Sequence, residues 1–205
     1  MVTHAEHAHV GEAVATTGST IYEGDRLSTD EGGILRIKFP ALTLQLNAQT
    51  TLTIGNRESP EGNLEVQLAS GTLVFSAALT GNIVVAANDA FIRPAASAAT
   101  MAHIRVVNLK ELRIYAQRGA LEFSYHGESE VIPEGAAYRV LLDPSEKEAA
   151  VLESEPAYKK TADMHYKFLF IGIGIAAGVA VPVLIHDLES PDKPGPASPQ
   201  LAKKP

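Results

Sequence analysis

Three histidines near the start of the sequence are the first residues whose type and spacing could do chemistry. His4, His7 and His9 form the pattern H-x-x-H-x-H, and imidazole nitrogens bind zinc, copper and nickel. A metal site also needs an ordered scaffold that fixes its ligands, and the flanking residues show neither a helix pattern nor a strand pattern. We therefore expect residues 1–9 to be a disordered leader without a metal site.

Three carboxylates form a second candidate group. Asp25, Asp30 and Glu31 could act as paired acids and bases or as calcium ligands. However, residues 30–32 lack the alternating oxygen ligands of a calcium loop, and an Asp that follows Gly in a tight turn usually caps backbone N–H groups. We therefore predict a structural role for this stretch, with a turn motif made of Gly24, Asp25, Thr29, Gly32 and Gly33.

The motifs of common enzymes are missing from the sequence. It contains no G-x-S-x-G nucleophile motif, no phosphate-binding P-loop and no G-x-G-x-x-G after a strand. His103 and His126 are isolated, and the lack of cysteine excludes disulfides, thiolate catalysis and Cys-ligated zinc. We expect a protein that is not an enzyme, with no catalytic residue and no cofactor.

The composition also argues against nucleic acid as a partner. The formal net charge is −7, aromatic residues make up 6% of the chain, and there is no Trp. The chain therefore offers neither the basic footprint nor the stacking platform that nucleic-acid-binding proteins use.

The elements that would position these residues are β-strands. Over residues 10–142 apolar and polar side chains alternate with a period of two, as in Leu42–Leu46, and Gly, Asn, Asp and Pro separate the runs. This pattern predicts an all-β domain of short strands, and it leaves a solenoid, a roll and a sandwich open. The motif G-x-L-x-F-S occurs twice, from Gly71 and from Gly119, which favours a repetitive β-architecture.

The C-terminal part of the sequence contains a long apolar run. Residues 168–185 are 18 residues without a charge, which as a helix would be about 27 Å long, close to the hydrocarbon thickness of a bilayer. We predict a transmembrane helix over residues 166–187, after a juxtamembrane linker over residues 143–165 and before a disordered Pro-rich tail over residues 188–205. Gly174 and Gly178 form a G-x-x-x-G pattern, so the span is a candidate for a homodimer contact.

The turn motif also carries a resemblance to a known family. The order I-Y-E-G-D-R-L-S-T-D-E-G-G-I-L-R-I-K-F, followed by L-T-L-Q-L-N-A-Q-T-T-L-T-I, resembles the FecR domain, and the resemblance extends over residues 10–142. It implies a periplasmic all-β domain, which in the best-known members relays occupancy of an outer-membrane iron-siderophore receptor to a cytoplasmic anti-sigma segment. The matching positions are Gly24, Asp25, Leu27, Thr29, Gly32, Gly33, Leu44, Thr50 and Leu52.

The order of the parts differs from that of those members. They carry a cytoplasmic helical region and a membrane helix before the β-domain, whereas the predicted span follows the β-domain in this sequence. The sigma-regulator role therefore does not transfer. The resemblance implies a FecR-like domain anchored in the bacterial inner membrane by one pass.

Two observations disagree about the side of the membrane. Lys159, Lys160 and Lys167 precede the predicted span and Asp187 and Glu189 follow it, which favours a cytoplasmic β-domain by the positive-inside rule. The N-terminus as given also lacks a secretory signal. The family places the domain in the periplasm, which an upstream start codon would reconcile with the sequence. Both orientations stay open.

These patterns lead to two expectations about function. The first is a membrane-anchored, non-enzymatic FecR-like β-domain that acts as an interaction or signal-relay module, with a protein partner in the envelope. The alternative is a ligand-binding module for an envelope glycan or a metal complex, with its site in the turns around Asp25 and Asp30.

Overall fold

The computed structural model describes residues 1–55, 64–96, 98–144 and 167–173 of the chain. In these ranges the backbone forms β-strands and no helix, so the all-β prediction is confirmed for this part of the chain. The strands are β1 (Val2–Val10), β2 (Ala13–Val14), β3 (Arg26–Phe39), β4 (Leu42–Leu46), β5 (Thr51–Ile54), β6 (Leu64–Ala77), β7 (Ile83–Ala87), β8 (Ala90–Pro94), β9 (Thr100–Asn108), β10 (Glu111–Arg118), β11 (Leu121–Tyr125), β12 (Glu128–Ile132), β13 (Ala137–Leu142) and β14 (Phe168–Gly172).

Two long strands, β3 and β6, determine the architecture because each pairs with different neighbours along its two halves. The first half of β3 pairs with β5 and the second half with β4. The first half of β6 pairs with β5 and β7, and the second half with β4 and β9. We call the branch that starts with residues 2–6 of β1 and the second half of β3 and continues through β4, β6, β9, β10, β13 and β14 the first sheet. The branch through β5, β6, β7, β8, β11 and β12 is the second sheet.

The core forms where the inward faces of the two sheets meet. In β4 every second residue is buried, as the alternation in the sequence predicts. The core includes Leu44 and Phe75 from the first sheet and Leu52 and Val85 from the second, all with no exposed surface. Each such side chain contributes about 1.5–3 kcal/mol by burial. The result is a sandwich whose two sheets share long strands that bend from one into the other.

The N-terminal residues belong to this fold, so the prediction of a disordered leader over residues 1–9 is wrong. β1 pairs antiparallel with both halves of β3, and Val2 and Ala8 are buried. A register shift between Glu6 and Ala8 leaves His7 in a bulge with a φ of 42°. The bulge breaks the period of two, and one buried position is only an alanine, so the strand pattern is hidden in the sequence.

The first residues of the predicted transmembrane helix also form a strand, so that prediction is wrong for Phe168–Gly172. This segment is β14, which pairs antiparallel with β13. Phe168 and Phe170 lie edge-to-face against Phe123, with ring centroids 5.0 and 5.2 Å apart. Aromatic and β-branched side chains suit a strand that completes such a cluster.

The rest of the predicted C-terminal part lies outside the described residues. This holds for residues 174–187 with Gly174 and Gly178, for residues 145–166 of the linker region, and for the tail over residues 188–205. Within the described ranges there is no helix with the length and hydrophobicity needed to cross a bilayer.

Candidate interaction surface

Asp25 closes the turn that leads into β3. Its Oδ2 accepts a hydrogen bond from the Tyr22 N–H at 2.7 Å. Gly24 adopts a φ of 81°, a left-handed conformation that costs glycine little, and its N–H donates to the Ile54 carbonyl at 2.9 Å. The Asp25 carboxylate thus caps the turn backbone, and the turn is tied to β5.

Thr29 and Thr50 hold the corner at which β3 and β6 pass between the sheets. The buried Thr29 hydroxyl accepts the Thr50 N–H at 3.0 Å and donates to the carbonyl oxygen of Asn47. The Thr50 hydroxyl accepts the Thr72 N–H at 2.9 Å and lies 3.2 Å from the Thr72 carbonyl oxygen. Side-chain hydroxyls therefore satisfy buried backbone groups where the strand ladders bend. We call Thr29 and Thr50 the threonine corner.

The repeated motif G-x-L-x-F-S has the same local structure in both copies. Gly71 and Gly119 have φ values of 84° and 69°, and each faces a buried threonine. A Cβ on Gly71 would lie 2.4 Å from Thr50 Oγ1, and one on Gly119 would lie 2.9 Å from Thr100 Oγ1. Each threonine hydroxyl also lies near the carbonyl oxygen two residues before it, at 3.4 Å for Thr50 and Ala48 and at 3.0 Å for Thr100 and Ala98. The Leu and Phe of both copies are fully buried: Leu73, Phe75, Leu121 and Phe123.

At Gly32 and Gly33 the chain bends but does not reverse, which corrects the expected turn. β3 continues through both glycines, and residues 30–33 lie opposite the single bulged residue His7 of β1. A Cβ on Gly33 would come 2.5 Å from the His7 carbonyl oxygen. The close approach of β1 therefore requires glycine at this position.

The histidines and carboxylates around this bend form separate surface pairs. His9 Nδ1 is 3.6 Å from Asp30 Oδ2, and His4 Nε2 is 3.5 Å from Glu6 Oε1. The side chains of both pairs are at least one-third exposed, so such contacts add little stability. In the described part of the chain no three His, Asp or Glu side chains are grouped as a metal site would need.

The outer face of the first sheet carries a basic surface that the sequence analysis missed. Arg105 of β9, Arg113 of β10 and Arg139 of β13 lie directly opposite one another, so their side chains leave the same face of adjacent strands. We call these three residues the arginine row. Each occupies a polar position in an alternating strand, and only the strand pairing brings them together.

Glu111 is the acidic partner of the arginine row. It is buried, Arg139 Nη2 donates to its Oε2 at 2.9 Å, and Arg139 Nε lies 2.9 Å from its Oε1. Arg113 Nε is 3.6 Å from the same Oε1. Among the described residues, Arg105 is exposed and has no carboxylate partner. One carboxylate thus compensates part of the charge of three guanidinium groups.

The basic character extends across the outer face of the first sheet. The pairing registers place six cationic side chains and two carboxylates on its described part, which leaves four net positive charges if His is neutral. The chain as a whole has a formal net charge of −7, so its charges are strongly segregated. The cations are Arg36, Lys38, Arg105, Arg113, Arg118 and Arg139, and the carboxylates are Glu6 and Glu111.

A less polar strip runs beside the arginine row. Val74, His103 and Tyr115 are directly opposite one another on β6, β9 and β10. The rings of His103 and Tyr115 are 5.7 Å apart, and His103 Nε2 lies 2.9 Å from Gln117 Oε1. Arg and Tyr are enriched among the residues that dominate binding energy at protein interfaces, and here they share the outer face of one sheet.

A shallow groove of about 240 Å³ lies on the second sheet, lined by residues that include Asn82, Pro94 and the pair Arg93 and Glu122. Arg93 Nη2 donates to both carboxylate oxygens of Glu122, at 2.9 and 3.0 Å. None of the lining residues belongs to the turns around Asp25 and Asp30, where the ligand-binding alternative was expected to have its site.

Tyr125 anchors the end of β13 to the hairpin of β11 and β12. Its hydroxyl donates to Asp143 Oδ2 at 2.6 Å. Burial raises the pKa of Tyr125 to about 12, and the hydrogen bond to Asp143 and the negative charges of Asp143 and Asp89 add to this effect. Lys167, just before β14, donates to the His126 carbonyl at 2.8 Å. These contacts fasten β13 and β14 to the second sheet.

Comparisons with known proteins give a resemblance in fold only. No family model matches the sequence, and no curated protein matches it. Two crystal structures of a "putative anti-sigma factor" from Parabacteroides distasonis ATCC 8503, at 1.65 and 2.50 Å resolution, each align with a TM-score of 0.48 at 12% identity. The alignment covers 57% of this chain and 54% of that one, so the chain spans about half the length of that protein. A similarity of this size establishes neither family nor function.

Proposed function

We propose that this protein is a membrane-anchored, non-enzymatic FecR-like β-domain that acts as an interaction or signal-relay module at the bacterial envelope. The observation that supports the proposal is that the motif residues form hydrogen bonds within the fold. Asp25, Thr29 and Thr50 all form hydrogen bonds within the fold, where they hold a turn and a corner. The residues that carry the family resemblance thus build a scaffold, and exposed side chains on the outer sheet faces, such as Arg105, are left for contacts.

The open surfaces support a protein as the partner. The first sheet offers a broad face with Arg and Tyr side chains, and binding surfaces for proteins are typically of this kind. Small-molecule sites are usually enclosed, mostly apolar clefts. The membrane anchor in the proposal comes from the apolar run in the sequence and from the family resemblance.

Affinity recovery after cross-linking tests the proposed function. The tagged full-length chain is cross-linked in intact cells and recovered from the membrane fraction, beside a control that keeps only residues 143–205. We expect a protein in stoichiometric amount with the full-length chain and not with the control. Recovery of the same proteins by both would overturn the proposal, because the β-domain would then contribute no partner.

The orientation of the domain requires a separate measurement. Reporters fused before Val2 and after Pro205, combined with protease treatment of spheroplasts, report which side of the membrane each end occupies. Digestion of the β-domain from outside places it in the periplasm, where the partner should be sought. Protection places it in the cytoplasm and removes a receptor relay from the proposal.

The groove beside Arg93 and Glu122 favours a second candidate function, a ligand-binding module for an envelope glycan or a metal complex. Calorimetry with the full-length chain and peptidoglycan fragments tests it. Saturable binding that is weakened by Arg93→Ala and unchanged by Arg26→Ala, on a strand away from the groove, would support this candidate. Heats equal to the heat of dilution would show that the protein does not bind these glycans and would exclude this candidate for them.

A further inference from the structure

The arginine row has more positive charge than a stable fold requires. Like charges directly opposite one another on neighbouring strands destabilise a sheet, and here three guanidinium groups stand side by side. Glu111 contacts Arg139 and Arg113, and in the described part of the chain Arg105 has no carboxylate partner. Neutral side chains or charges of opposite sign at these positions would make the folded sheet more stable.

We propose that the arginine row is a docking site for an acidic segment of a partner protein. The proposal rests on the proposed function, since it specifies the chemistry of the partner. Charge complementarity supports the proposal. This protein is acidic overall, yet it presents one face with four net positive charges, which would attract an acidic partner. Arg also matches carboxylates in a bidentate geometry that Lys does not offer.

The spacing of the row suits a helix or an extended segment that crosses the strands. Adjacent strands lie about 4.8 Å apart, and residues three or four apart on a helix are about 5–6 Å apart. Carboxylates at such positions would each meet one guanidinium group. Glu111 fixes Arg139 through two contacts at 2.9 Å, while the exposed Arg105 is free of such a constraint among the described residues.

The neighbouring residues favour a protein over an anionic membrane as the occupant. Tyr115 and His103 lie side by side next to the row, with their rings tilted by 43°, and would accept apolar side chains of a partner. The tip of the hairpin of β9 and β10 carries Leu109, which is 86% exposed, and the exposed Lys110. Asp89 lies in the turn that contacts this tip through the bond from Asn88 to Asn108. The charges of Lys110 and Asp89 offset each other, so the tip adds no net attraction for anionic headgroups.

Fluorescence anisotropy with a defined peptide tests the docking site. The probe is a peptide of about twelve residues, three helical turns, with Glu at every third or fourth position among Ala and Leu, and its control has Gln in place of each Glu. The full-length protein is used in nanodiscs of phosphatidylcholine. We expect the Glu peptide to bind at least about tenfold more tightly than the Gln peptide, and its affinity to fall as salt increases.

Matched variants locate the binding on the sheet face. Arg105→Gln should weaken Glu-peptide binding about fivefold, and Arg105→Gln with Arg113→Gln should weaken it more than about tenfold. Arg26→Gln removes another exposed Arg, outside this face, and it should leave the affinity within about twofold. Arg105→Gln should not lower the melting temperature, because it relieves repulsion within the row.

Three results with the peptides and vesicles would overturn the docking site. The first is equal affinity for the Glu and Gln peptides, and the second is unchanged affinity of the Arg105→Gln variant for the Glu peptide. The third is that no peptide binds, while the protein binds vesicles with about one-third phosphatidylglycerol and this binding requires Arg105. A recovered partner that binds the Arg105→Gln variant as well as the wild type also overturns the docking site and leaves the proposed function standing. If the full-length chain recovers no protein beyond those recovered by the control of residues 143–205, the proposed function itself is overturned.

Discussion

The hydroxyl of Thr29 accepts the backbone N–H of Thr50 at 3.0 Å. This bond connects the bend of β3 to the segment that leads into β5, and the Thr50 hydroxyl continues the connection to the Thr72 backbone in β6. Both threonines are buried, so their hydroxyl groups act where water does not reach. The conformation of the corner thus depends on two side chains of the sequence motif.

Replacing Thr50 with Val tests the corner. The substitution keeps the shape but leaves the partly buried N–H of Thr72 without its acceptor, so we expect a loss of about 1–3 kcal/mol in the free energy of unfolding. Urea unfolding of the full-length protein, followed by circular dichroism, measures it. Thr53→Val on the outer face of β5 is the control and should cost less than about 0.5 kcal/mol. Equal losses for the two variants would refute a special role for the corner.

Alanine at three glycines separates backbone strain from close approach. Gly127 has a φ of 84° and open space at its Cβ position, so Gly127→Ala should cost only the left-handed strain of about 1–2 kcal/mol. Gly71→Ala adds contacts of 2.4–2.6 Å with residues 49 and 50 and should cost most, above about 3 kcal/mol. Gly119→Ala, with contacts from 2.9 Å, should lie between them. A different order in thermal unfolding would show that the two motif copies do not pack as described.

Tyr125 predicts how stability changes in alkali. Its folded pKa of about 12 is above the ordinary tyrosine value near 10, so the unfolded chain loses the proton first. The stability that this group contributes is present in full below about pH 10 and is lost as the pH rises toward 12. Tyr125→Phe should therefore flatten the fall in stability over that interval and cost about 1–2 kcal/mol at neutral pH.

The measurement is urea unfolding at a series of pH values, together with ultraviolet titration of tyrosinate. Tyr22→Phe serves as the control because Tyr22 is 67% exposed and should leave the alkaline fall in place. A wild type whose tyrosines all titrate near the ordinary value would contradict the buried bond to Asp143.

The absence of cysteine from the chain makes β14 directly testable. Leu141 and Leu169 are opposite each other on β13 and β14, at the distance between paired strands that a disulfide can bridge. The pair Leu141→Cys and Leu169→Cys should therefore oxidise readily in the full-length protein, which a mobility shift on a non-reducing gel would detect.

The control pair, Leu141→Cys with Phe170→Cys, places the thiols on opposite faces of the two strands. It should form the bond much more slowly. Equal and slow oxidation of both pairs would show that residues 168–172 do not form a strand on β13. These residues would then again be assigned to the predicted membrane helix.

The sequence predicts the strands whose two faces differ. Leu42–Leu46 alternates between buried leucines and polar side chains, so its period is visible without knowledge of its neighbours. β14 is apolar at every position, so its period is invisible and its composition suggests a membrane helix. In β1 the bulge at His7 interrupts the period. Both strands are defined by the neighbour that they pair with, and local sequence does not contain that information.

The same limit applies to the candidate surface. The residues of the threonine corner are present in the motif, but their partners depend on how β3 and β6 bend. Arg105 and Arg139 are far apart in sequence and become neighbours only through β10. This charge pattern depends on which strands pair and in which register. The alternation of apolar and polar residues is compatible with several strand orders, so it does not reveal the pattern.

The passage of β3 and β6 through both sheets has a mechanical consequence. A load applied to one sheet travels into the other along covalent backbone, so the sheets cannot separate or slide without breaking ladder hydrogen bonds in both. Under tension the domain should shift and tilt as one stiff body. A force applied to one face of the domain would therefore be transmitted as displacement of the whole domain, with little energy lost to its deformation.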